Sequence, residues 1–221
     1  LLNSVLRRFV VETGRPEFDV DATVPHLDTS HLDDNQQAAV AHVLSARHYA
    51  LILGMPGTGK TTTVATIIRA LTRLRNQSVL VASHTHAAID NLLGKVREDA
   101  ECRDDVIRIG SADRVHRDLH DCLLEQLKFE SAEALAAFVT QKRIVACTTA
   151  AINHPLFLHK RFDWCIVDEA AQISLPACLG PLRFADRFLL VGDTHQLPPL
   201  VRSREAAAAG LSRSLFAHLA D

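Results

Sequence analysis

Leu51-Ile52-Leu53-Gly54-Met55-Pro56-Gly57-Thr58-Gly59-Lys60-Thr61 decides how the rest of the 221-residue chain is read. Its spacing is Gly-x-x-x-x-Gly-Lys-Thr. The apolar run that starts at Tyr49 leads into it, and residues 62–74 continue in a helical pattern. A buried strand, a glycine-rich turn and a helix N-terminus together make an anion cradle. Gly54, Gly57 and Gly59 allow backbone N–H groups to converge on phosphate oxygens. Lys60 brings a point charge to the β/γ-phosphates, and the Thr61 hydroxyl is a hard oxygen ligand for Mg²⁺. Pro56, Thr58 and Thr62 fall in the same stretch and complete the expected nucleotide-binding set.

Outward from this loop the chain alternates short apolar runs with helical patterns. Residues 78–82, 106–109, 143–147, 164–167 and 188–191 read as buried strands beside Tyr49–Leu53. Residues 85–96 and 113–140 read as helices, the latter from Leu119, Leu123, Leu127, Ala134, Leu135 and Phe138. Nearly continuous apolar strands alternating with helices predict an α/β fold, a parallel sheet covered on both faces. Asp33 is placed to cap a helix running through residues 38–44. Before it, residues 1–31 read as a helical start (Leu2, Val5, Leu6, Phe9, Val10) and a polar connector holding Gly14, Pro16 and Pro25. This suits a lead-in from an upstream domain. The first residue is not Met, so any upstream targeting segment lies outside the sequence.

Composition narrows the class. Hydrophobic residues make up 48% and charged residues 23%, ordinary for a globular protein, and no apolar run reaches the length of a membrane span. Five scattered cysteines without a Cys-x-x-Cys pair fit buried thiols in a reducing compartment rather than disulfides or a zinc site. The net charge of −2 weakly opposes a nucleic-acid role, although a local groove can be positive on a neutral chain. His116 and His120 stand four apart, but no third ligand accompanies them, so a helix-face role is expected. Trp164 is expected in the core.

Two strands end in acids. Cys165-Ile166-Val167-Asp168-Glu169 offers Asp168 to hold Mg²⁺ and Glu169 to accept a proton from the attacking water. Phe188-Leu189-Leu190-Val191-Gly192-Asp193 leads to Gln196, on the ligand side of a parallel sheet, where it could bond a γ-phosphate or the attacking water.

These segments together resemble the superfamily 1 helicases of the 5′→3′ (Upf-like) group. Leu32-x-x-x-Gln36 is similar to the adenine-reading glutamine motif, with Asp33 where Asn is usual. Gly54 through Thr61 is similar to motif I, and Thr85-His86-Ala87-Ala88-Ile89-Asp90-Asn91 to motif Ia. Thr148-Thr149 is similar to the threonine motif, Asp168-Glu169-Ala170-Ala171-Gln172 to motif II, and Gly192-Asp193-x-x-Gln196-Leu197-Pro198-Pro199 to motif III. Within the group, Met55, Ser83-His84-Thr85-His86, Ile152-Asn153-His154-Pro155 and Cys178-Leu179-Gly180-Pro181-Leu182 resemble the nuclease–helicases of Okazaki-fragment processing and DNA end resection.

The resemblance implies a RecA-like first motor domain over residues 32–221, using ATP and Mg²⁺. Lys60, Glu169 and Gln196 would be catalytic, with Gln36 contacting the base. Single-stranded DNA, or RNA as the alternative, would meet Thr85, His86, Asn91, Thr148 and Thr149. It further implies a second motor domain and an upstream nuclease domain in a longer chain, no membrane, and a nuclear location with mitochondria as a second. Arg202, Arg204 and Arg213 match none of the group's arginine-finger motifs, so the fingers are expected in the second motor domain. The competing class is a nucleotide-gated P-loop module without translocation. The motifs at 85–91 and 192–199 favour the motor.

Overall fold

The computed structural model describes residues 7–12, 14–19 and 28–220. Six strands form one all-parallel sheet in the order β1-β6-β5-β2-β4-β3. They are β1 (Tyr49–Leu53), β2 (Val79–Ser83), β3 (Val106–Ile109), β4 (Ile144–Thr148), β5 (Phe162–Val167) and β6 (Ala185–Gly192). Every predicted strand is present, most of them shifted or lengthened at an end. The helices that position the site are α1 (Asp34–Ser45), α2 (Lys60–Arg69), α3 (His86–Val96), α4 (Ala132–Gln141), α5 (Leu175–Leu182) and α6 (Leu215–Ala220).

Because strand side chains alternate between faces, each strand feeds two cores. Val79, Val81, Trp164, Ile166, Leu189 and Val191 pack beneath α1, α2 and α3. Leu80, Ala82, Cys165, Val167, Phe188 and Leu190 pack on the opposite face with Val139 of α4, Cys178 of α5 and Phe216 of α6. Trp164 is fully buried and donates its indole N–H to Gln77 Oε1 at 3.2 Å. All five cysteines are free and buried.

Of the expected N-terminal helix, Leu2, Val5 and Leu6 lie outside the described residues, as does Pro25 of the connector. The described part packs beside edge strand β1. Phe9 and Val10 are buried, the Phe9 ring lies 4.4 Å from that of His48, and Phe18 bridges Ala46 antiparallel.

Of the helical pattern expected over residues 113–140, only the last part, with Ala134, Leu135 and Phe138, forms an α-helix. Short 3₁₀ turns at Arg117–Cys122 and Leu124–Gln126 precede α4. Distant partners break the helical pattern. Leu123 adopts an extended conformation and bridges Arg108 beside β3. Arg97 donates to the Asp118 carbonyl at 2.8 Å, and the Glu125 carboxylate accepts from the Ala112 amide at 3.1 Å. His116 caps the first turn and is exposed, and the His120 ring bonds the Val115 carbonyl. Among the described residues no group of acids, histidines or cysteines is arranged to hold a metal.

Candidate active site

In a parallel sheet all strands deliver their C-terminal ends to one edge, where ligands bind. Strand order therefore rearranges the motifs in space. Across that edge stand the phosphate loop after β1, Asp193 after β6, Asp168 and Glu169 after β5, Thr85 after β2 and Thr149 after β4. The Gly54 amide donates to the Gly192 carbonyl at 3.1 Å, joining the first two.

The loop turns because Gly57 and Gly59 take φ of 78° and 74°, a region costly for residues with a Cβ. Gly59 is also the N-cap of α2, whose first amides lack intrahelical partners and face the loop's concavity. Lys60 curls over the loop, its ammonium donating to the carbonyls of Gly54 and, at 2.9 Å, Met55. Gln36 closes the other side. Its amide nitrogen donates to the Thr58 carbonyl at 3.0 Å, and its oxygen accepts from the Asp33 amide at 3.1 Å. Asp33 reciprocates, accepting the Gln36 amide at 2.9 Å, so the Asp in place of Asn serves as half of a capping box.

Gln36, Gly54, Gly57, Thr58, Gly59 and Lys60 line one cavity of about 580 Å³. Pro56, Lys60, Thr61, Asp168, Glu169 and Gln196 line a second, of about 260 Å³. Thr62 lines neither, and Thr63 takes a place in the larger one instead.

In the smaller cavity the Thr61 hydroxyl and the Asp168 carboxylate supply hard oxygens of the kind Mg²⁺ prefers. Burial, with the Glu169 charge adding to it, pushes Asp168 up to about 6, while the Glu169 amide and Lys60 pull the other way. A bound dication reverses such a balance, so the residues fit the ion. Among the described residues Glu169 is one of two non-glycine residues with positive φ, at 54°. Its carboxylate accepts from Ser83 Oγ and Thr85 Oγ1, both at 3.3 Å. Asp193, almost fully buried, accepts from Gln196 Nε2 at 3.0 Å and from the His195 amide at 2.9 Å. The Gln196 side-chain bond, followed by the His195 amide, holds the Asp193 carboxyl below its usual range.

The residues expected to meet nucleic acid divide into four groups. Thr85 caps α3, accepting from the Ala88 amide at 3.2 Å, and it also touches Glu169. His86 packs against the buried Arg108. Asn91 lines the smaller phosphate-side cavity and a groove on its far side. Thr148 is buried at the end of β4, and Thr149 is half-buried at the start of the following turn. Sequence reasoning missed Ser83 and Gln172 at this edge and gave Asp193 no role beyond its place on the ligand side of the sheet. Ser83 and Asp193 both end or follow buried strands at the ligand edge, and Gln172 follows the acids by one turn, so position was the available signal.

The profile of a family described as AAA domain matches residues 31–134 and 114–204. The DNA replication ATP-dependent helicase/nuclease dna2 of Schizosaccharomyces pombe is 40% identical over 218 residues, 98% of this chain and 15% of that protein. The DNA replication ATP-dependent helicase/nuclease DNA2 of Gallus gallus is 45% identical over 232 residues, 97% of this chain and 22% of that protein. The chain thus spans 15% and 22% of the length of these two curated relatives. The crystal structure of the UvsW helicase from bacteriophage T4 is 18% identical with a TM-score of 0.49, covering 72% of this chain and 52% of that one. Matched by the family profile over most of its length, from the glutamine motif past the last strand-end acid, this chain belongs to the AAA-domain family.

Proposed function

We propose that this chain is the first motor domain of an ATP-dependent 5′→3′ DNA helicase or translocase within a DNA replication and repair nuclease–helicase. The observation that supports this reading is the gathering of Lys60, Thr61, Asp168, Glu169 and Gln196 from three strand ends around one cavity. The Thr85 turn joins that cavity through Glu169.

In this reading the phosphate loop and α2 cradle ATP, with Gln36 at the base. Lys60 places its charge at the γ-phosphate, and Glu169 accepts a proton from the attacking water. Asp193 orients Gln196 so that it meets the phosphate. Thr61 and Asp168 would hold Mg²⁺, which when bound neutralises charge on the phosphates. Thr85, His86, Asn91 and the two threonines after β4 would face single-stranded DNA, mostly through phosphate rather than base contacts. RNA is the alternative polymer. Residues 1–31 would lead in from an upstream nuclease domain, residues 32–221 would form the first motor domain, and the location would be nuclear.

The second motor domain would supply the arginine fingers. A finger of this kind contributes roughly 10³–10⁵ in rate for P-loop enzymes. ATP hydrolysis with and without single-stranded DNA, in this chain and in one extended through the second motor domain, tests the assignment. DNA-stimulated turnover should emerge only in the extended chain. Strong stimulation in this chain alone, too dilute to self-associate, would show a complete site here. An extended chain with ATPase indifferent to DNA would overturn the motor.

A further inference from the structure

Among the described residues the most deeply buried charged group lies outside the nucleotide cavities. Arg108 of β3 is fully buried, and its guanidinium is shared three ways. Nε donates to Asp90 Oδ1 of α3 at 2.9 Å, Nη1 to the Ile109 carbonyl at 2.7 Å, and Nη2 faces His86 Nδ1 at 3.0 Å. The other Asp90 oxygen accepts from the His116 amide at 2.8 Å, closing the cluster over the 113–117 loop. A guanidinium is donor only and keeps its charge at all accessible pH. The ring nitrogen opposite it must therefore be a lone pair, which leaves the ring's proton on Nε2. Among the described residues Nε2 has no hydrogen-bond partner.

We propose that Arg108 is a positioning residue for nucleic-acid binding: it fixes His86 as the neutral Nε2–H tautomer and so presents one aimed N–H donor to a phosphodiester oxygen. This rests on the strand-contact reading of His86 given above. The ring edge is confined from a second side, since a Cβ at Gly110 would lie 3.4 Å from His86 Cε1. The charged groups facing the ring are Arg108 on β3, Asp90 on α3, and Arg114 and Asp113 on the following loop. Burial first, then Arg108, lowers the His86 pKa from its ordinary value, with Asp90 opposing. The ring accordingly stays neutral at pH 7. Its contact to a strand is a hydrogen bond that adds nothing to the salt dependence, unlike a cationic histidine.

The test uses this chain, a fluorescent oligo-dT and long-range ¹H–¹⁵N correlation of the histidine rings. His86 should show Nδ1 bare and Nε2 protonated at pH 7. His86→Ala should weaken oligo-dT binding roughly ten-fold, and His86→Gln, which keeps a donor, should recover part of that loss. Arg108→Gln paired with Asp90→Asn removes both buried charges together, which protects folding. In that background the net push of Arg108 over Asp90 is gone while burial remains, so His86 should protonate at a higher pH than in wild type, with affinity rising as pH falls and the salt slope steepening by up to about one ion. Adding His86→Gln should erase that increment. An imidazolium or an Nδ1–H ring in the wild-type chain, with binding still dependent on His86, overturns the proposal alone. His86→Ala protein that binds oligo-dT as well as wild type overturns the strand-contact reading of His86, and the proposal with it.

Discussion

The phosphate loop and the turn into α3 are equally conspicuous in the sequence, yet they are built on different principles. In the loop each functional group is held by its own neighbours. Lys60 sits on the Gly54 and Met55 carbonyls, and the Thr58 hydroxyl donates to the Met55 carbonyl at 2.8 Å. In the α3 turn Thr85 caps its own helix, but the polar side chains also answer to distant parts of the chain. Thr85 reaches Glu169, 84 residues on, His86 and Asp90 share Arg108, and Asn91 looks into the phosphate-side cavity. A motif closed by its own backbone carries its geometry with its letters. One closed by remote side chains carries only a helix start.

Substitutions can break that contrast. The largest effect is expected at Glu169, where Gln keeps the shape but cannot accept a proton. Hydrolysis by the chain extended through the second motor domain should fall about 10²–10⁴-fold while ATP affinity stays within a few-fold. Affinity collapsing together with rate would make Glu169 structural. Next comes Lys60→Ala, which should cost about 10²–10³ in phosphate release at saturating Mg²⁺–ATP, as for loss of one aimed donor. Near-normal turnover in the folded variant would sink the phosphate-loop assignment.

Thr85→Val tests the remote side of the contrast. It removes the α3 cap and one of the two hydroxyls on Glu169, and the cap alone is worth about 1 kcal/mol. The melting temperature should drop by about 2–4 °C, and a change under half a degree would show that the turn does not depend on its cap. The smallest effect has the opposite sign. Glu169→Asn relieves a left-handed backbone that Asn tolerates better and removes a like charge beside Asp168, so the inactive variant should melt about 1–3 °C higher. A lower melting temperature would mean that the Ser83 and Thr85 bonds outweigh the strain.

The six strands were legible because each carries a nearly continuous apolar run, interrupted in β3 by Arg108, and a strand buried on both faces needs little else. The placement of Lys60, Thr61, Asp168 and Gln196 at the ligand edge was legible for a related reason, as each follows the C-terminal end of a strand. Residues 113–131 were not, since the four-residue spacing of Leu119, Leu123 and Leu127 is interrupted by Arg97, Arg108 and Ala112 acting from outside the segment. Ser83 was invisible as a site residue until β2 was seen beside β5, with Ala82 level with Val167. Asn91 was assigned to the polymer by motif, but six residues of helix rotate it to the nucleotide side as well.

Gly192 carries a consequence for genetics. Its carbonyl anchors the start of the phosphate loop, and a Cβ there would stand 2.9 Å from the Ala171 nitrogen, 3.2 Å from Ala171 Cβ and 3.4 Å from Phe216 Cγ. A single methyl would wedge the acid-bearing turn away from the loop and α6, at a cost of about 1–3 kcal/mol. A chain carrying Gly192→Ala should therefore be heat-sensitive, keeping its fold at low temperature and losing it a few degrees below the wild-type melting temperature. In a screen it would fall among the nucleotide-binding mutants, although it alters none of the side chains that would hold nucleotide.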